Sequence, residues 1–82
     1  MNEQAAEEFA ELDELQTAYK AAMEKWIAAI RKEEALVVVA PHSVAEVDKW
    51  EQAHFDEDEA RNIALAAKED YEDALREKFF GF

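Results

Sequence analysis

The chain has a single proline, Pro41, and a single glycine, Gly81. Residues 3–40 contain neither, and so do residues 42–80. Gly and Pro are the residues that most effectively interrupt a helix, and β folds use them to turn the chain. Two long uninterrupted stretches therefore point to helices. In the first, apolar residues recur at helical spacing, at Phe9, Leu12, Leu15, Tyr19, Met23, Trp26 and Ile30. The pattern predicts an all-α chain with helix 1 over about 3–36, a turn over about 37–43 and helix 2 over about 44–79. At 82 residues this is a single domain, spanning 1–82, and a small one.

The ends of these helices are marked locally. Asn2 is placed to cap helix 1, with Glu3, Glu7 and Glu8 near the positive end of its dipole and Arg31 and Lys32 towards the other end. The run Val37, Val38, Val39 is β-branched and a poor helix former, and Pro41 disfavours helical geometry at Ala40. "SVAE" at 43–46 then reads as a capping box, with Ser43 as N-cap and Glu46 at N3. Gly81 is placed to stop helix 2.

A short connection makes the helices antiparallel neighbours. With the reversal centred between residues 39 and 40, Leu12 would face Ala67, Leu15 Ala64, Tyr19 Ala60, Trp26 Ala53 and Ala29 Trp50. Large residues oppose small ones. Ala53, Ala60, Ala67 and Ala74 recur every seven residues as a seam of coiled-coil type. One hairpin buries little, and Ile27, Val47, Ile63 and Leu65 fall off the seam. The expected assembly is a homodimer forming a four-helix bundle.

Charge narrows the function. Twenty-one acids against nine bases give a net charge of −12, spread over both halves of the chain. Such a surface is repelled by DNA, RNA and anionic membranes. There is no cysteine, hence no disulfide, thiol nucleophile or Cys-based zinc site. The N-terminus lacks the basic and apolar regions of a signal peptide, and the longest uncharged stretch, 35–45, is too short to span a membrane. The expected location is the cytoplasm.

One stretch, "VDKWEQAHFDEDEA" at 47–60, sets a histidine among acids. Glu51-x-x-His54 has the spacing of ferritin-like di-metal bundles, which need a further carboxylate from a facing helix. On a wheel of about 100° per residue His54 falls some 60° from the stripe centred on Glu57, and Glu51 about 120°. Glu24, the helix 1 candidate, points away. The candidate metal ligands are thus His54, Glu57 and Asp58, and solvated acids around a salt-bridged histidine are the favoured reading, with no cofactor. Glu57 occupies a core-facing position opposite Ala22 and is expected to reach water beside Arg61, one turn on.

No Gly-rich phosphate loop or acid–base–nucleophile arrangement is present, and Ser43, the only serine, is assigned to a cap. An enzyme is not expected. Val37, Val38, Val39, Phe55, Phe80 and Phe82, with Phe79 beside them, are the candidate interaction residues. The leading reading is a small acidic structural or adaptor protein acting through protein–protein contact. One alternative is an acidic mimic of nucleic acid that occupies a basic protein; a second is a metal-binding helical bundle. The outline is similar to small secreted helical hairpins that carry Trp-x-Gly in the turn, but "VVVAPHS" lacks that motif. No family is recognised.

Overall fold

The computed structural model describes residues 3–37 and 43–81, with side chains for 9–36 and 43–81. It contains two α-helices, α1 from Glu3–Val37 and α2 from Val44–Phe80, packed against each other. Helices of 35 and 37 residues would be about 50–55 Å long at about 1.5 Å per residue. The molecule is a rod of 63 × 22 × 15 Å. Its radius of gyration is 18.4 Å, against about 12 Å for a compact domain of this length. Nearly every residue therefore lies close to a surface.

The ends of α2 follow from the residues already named. Ser43 is extended (φ −149°, ψ 161°), and its Oγ accepts the Glu46 N–H at 3.3 Å, satisfying one of the donors a helix start leaves free. Gly81 adopts the left-handed conformation at φ 77°, and its N–H donates to the Glu77 carbonyl. A side chain at that φ would be strained, so the one glycine stands where it is required. Asn2, Val38, Val39, Pro41 and Phe82 lie outside the described residues. α1 includes Val37, so Arg31 and Lys32 fall before its last turn, which holds no basic residue.

Four contacts between the helices show that they are antiparallel. Going up α1, Lys78 Nζ sits 4.0 Å over the Phe9 ring, Tyr71 lies 6.3 Å from Tyr19, Glu57 bonds Trp26 and His54 meets Glu33. Partner numbers fall as α1 numbers rise. The register nevertheless differs from the one the sequence suggests. Trp26 reaches Glu57, one turn beyond Ala53, and Tyr19 lies against Tyr71 rather than Ala60. Two causes act in the same direction. The helices end at Val37 and begin at Val44, so the reversal is centred slightly later than residues 39–40. Side chains also lean towards their own helix N-terminus, so an α1 residue leans away from the turn and an α2 residue leans towards it. Side chains that meet then come from an α2 position farther from the turn.

Small residues line the closest contact. Ala22, Ala53 and Ala64 are the buried apolar residues among those described, and Ala60, Ala67 and Ala74 are half-buried. Around them, Leu12, Leu15, Tyr19, Trp26, Ile30, Tyr71 and Leu75 are half-buried as well. Among the described residues no large side chain is fully buried. Along the outside of α2, Lys68 and Arg76 both approach Glu72, at 3.8 and 3.9 Å, and Arg76 also pairs with Asp73. Such exposed pairs contribute about 0.3–0.5 kcal/mol each to a helix. Among the described residues no helix is long and apolar enough to cross a membrane.

Candidate functional site

The most chemically concentrated part of the molecule lies in its turn-proximal half, where two tryptophans flank two carboxylates and a histidine. Among the described residues Glu57 is the buried charged one, 8% exposed. Its position on α2 is one helical turn past Ala53 and two before Ala64, on the stripe that faces α1. It accepts a hydrogen bond of 2.7 Å from the Trp26 indole N–H, across the helix pair. Arg61 is farther away, with Nη1 4.0 Å from Glu57 Oε2, and it makes its close contact with Asp58 instead. Glu57 was expected to reach water beside Arg61; it is held inside by Trp26. The reason is the register, which brings the long Trp26 side chain level with the carboxylate.

His54 bridges the helices. Its Nδ1 lies 3.3 Å from Glu33 Oε1 on α1, and its Nε2 lies 3.9 Å from Asp58 Oδ2 one turn along α2. The imidazole is stacked on Trp50, with centroids 5.7 Å apart and planes within 8°, and Phe55 tilts beside it at 6.2 Å. Ring orientation is therefore constrained by an aromatic neighbour and by carboxylates at both nitrogens.

Glu33, His54 and Glu57 converge: one donor atom from each lies within 4.8 Å of the others. Of the three ligand candidates read from the sequence, His54 and Glu57 belong to this group. Asp58 is set behind the histidine and engaged by Arg61. Glu51, the other member of the Glu-x-x-His pair, is exposed, and so is Glu24. Glu33 is the residue that sequence reasoning missed. It follows Trp26 by seven residues and so lies on the same stripe, a signal present in the sequence. The assumed register put residues well before Glu33 opposite His54.

The candidate interaction residues divide differently. Phe55 is 64% exposed and Phe80 70%. Phe79 is exposed too, beside Lys78, whose ammonium group covers the Phe9 ring. Val37 ends α1, and the structure describes its backbone alone; Val38, Val39 and Phe82 lie outside the described residues. Exposed large apolar residues also occur along both helices, at Met23, Ile27, Val44, Val47, Trp50, Ile63 and Leu65.

No known protein family matches the chain, and neither a characterised protein nor a solved structure resembles it significantly.

Proposed function

We propose that this protein is a structural or adaptor element that works through protein–protein contact, and that its first partner is a second copy of itself in a four-helix bundle. The observation that carries this reading is the thinness of the interior. Among the described residues three alanines and one glutamate are buried, whereas Met23, Ile27, Val47, Trp50 and Leu65 each expose between 37% and 48% of their surface. Covering half of a large apolar side chain contributes roughly 1 kcal/mol. A few such residues on each of two copies amount to several kcal/mol, comparable with the whole stability of a small domain.

The apolar residues are also suitably placed. Met23, Ile30 and Ile27 lie roughly 80–140° round α1 from the buried Ala22, and Val47 and Leu65 roughly 80° round α2 from Glu57 in the same sense. In an antiparallel pair the same sense of rotation leads to the same side. Both helices thus present apolar residues to one flank of the rod. A standard interface needs about 800 Å² from each partner, roughly an eighth of the 6499 Å² surface of this chain. One flank of a 63 Å rod can supply it.

Sedimentation equilibrium of the full chain tests the reading. The expected species has twice the 9.4 kDa chain mass at micromolar concentration. Ile27→Asp and Leu65→Asp should each give a monomer, since a charge in that contact would have to be desolvated. A wild-type monomer that is fully helical at micromolar concentration would overturn the proposal.

A further inference from the structure

We propose that Glu33, His54 and Glu57 form a binding site for a divalent transition-metal ion of the zinc type. The donors are one imidazole nitrogen and two carboxylates, drawn from both helices, with donor atoms already within 4.8 Å of one another. Such a mixed set suits zinc and its neighbours, whereas calcium and magnesium take oxygen ligands. One edge of the triangle has the right size as it stands. Ligand atoms about 2.0–2.1 Å from a tetrahedral ion lie about 3.3 Å apart, and His54 Nδ1 is 3.3 Å from Glu33 Oε1. The other edges, now within 4.8 Å, would have to shorten on binding.

Two further observations point to a cation. The first concerns charge: carboxylates of opposite helices converge here, and Glu57 is 8% exposed. Its partner at hydrogen-bond distance, the Trp26 N–H, is neutral, and the Arg61 guanidinium lies 4.0 Å away with its closer contact at Asp58. Like charges brought together in a partly dry site repel unless a positive charge stands between them. The second concerns the histidine. Its Nδ1 faces the cluster while Nε2 is 3.9 Å from the Asp58 carboxylate. That separation is longer than a hydrogen bond; with Nδ1 ligated the ring proton would sit on Nε2, on the side of Asp58, and a carboxylate there is the partner a ligand histidine characteristically has. Stacking on Trp50 holds the ring in that orientation. In the single chain His54 is about half exposed; it shares its flank with Val47 and Leu65, so a second copy seated there would cover the fourth coordination position. All three donors belong to one chain, and the ion would clamp α1 to α2.

Zinc chloride added to the chelator-treated full-length protein tests this, by calorimetric titration and by melting temperature. The expected result is one ion per chain, with a melting temperature that climbs as zinc is raised, because an ion held by the folded hairpin stabilises it. Trp26 and Trp50 are the two tryptophans of the chain and each contacts a ligand, so cobalt or copper in place of zinc should quench most of the intrinsic fluorescence. Glu33→Gln and His54→Gln should each weaken zinc binding at least tenfold while leaving helicity in zinc-free buffer unchanged. Glu51→Gln, an exposed acid one turn from His54, should bind as wild type does. No binding at 100 µM zinc would refute the site. Equal losses in Glu51→Gln and Glu33→Gln, or full binding by His54→Gln, would show diffuse attraction to an acidic surface and would refute it as well.

Discussion

At the scale of single residues, Glu57 and Trp26 form the contact with most at stake. A carboxylate in an interface is costly unless its lone pairs are used, and the indole N–H supplies a bond that an apolar neighbour could not. Trp26→Phe keeps the ring and removes the donor. At fixed protein concentration it should lower stability by about 1–3 kcal/mol, the range for stranding a buried polar group, as read from the midpoint of denaturant unfolding. Adding Glu57→Leu to that variant should recover most of the loss, since an apolar side chain leaves nothing unsatisfied. A double variant no more stable than Trp26→Phe alone would mean that the bond is incidental. The position of Glu57 on the facing stripe was legible from spacing, but its partner was not. Arg61 is the natural choice on a helix considered alone; only the other helix, in the correct register, brings Trp26 to the carboxylate. The same holds for His54, whose flanking position was legible and whose contact with Glu33 was not.

At the scale of the helices, bounds and packing carry different kinds of information. Where α2 starts and stops is written in local residues, Ser43 and Gly81, and the structure uses both as caps. Pairing is different. Sliding one helix by a turn replaces each residue with another three or four positions away on the same stripe, so the apolar pattern changes little. Large-against-small matches such as Trp26 with Ala53 can be found in neighbouring registers when alanine is this frequent. What settles the register is where α1 ends and α2 begins, together with the lean of the side chains, and neither shows as periodicity. The buried alanines give a direct test of the packing. Ala64 is 1% exposed, so Ala64→Leu should overpack the helix pair and cost about 1–3 kcal/mol. Ala66→Leu, on the exposed face two residues later, should be nearly silent. Thermal melts of the two variants side by side provide the check, and equal melting temperatures would contradict the packing described.

At the scale of the whole molecule, the opposing terms are the uncovered apolar flank and the charge. Each copy carries a net charge of −12, so a dimer brings two strongly negative rods together at a separation set by a cross-section of 22 × 15 Å. At about 10 mM salt the screening length is roughly 30 Å and the copies repel across their full width; at about 0.1 M it is roughly 10 Å and much of that repulsion is gone. Apolar contact is not weakened by added salt. The proposed dimer should therefore tighten with ionic strength, its dissociation constant falling on the order of tenfold between 10 and 200 mM sodium chloride. Fluorescence anisotropy of a labelled chain titrated with unlabelled chain measures this directly. The sign separates the two ways in which an acidic rod can find a partner. An interface held by burial grows stronger as repulsion is screened, whereas a mimic of nucleic acid grips a basic protein through charge and is weakened by the same salt. A dissociation constant that rises with salt would mean that complementary charges hold the copies together and that the apolar flank of Met23, Ile27, Val47 and Leu65 is not the contact surface.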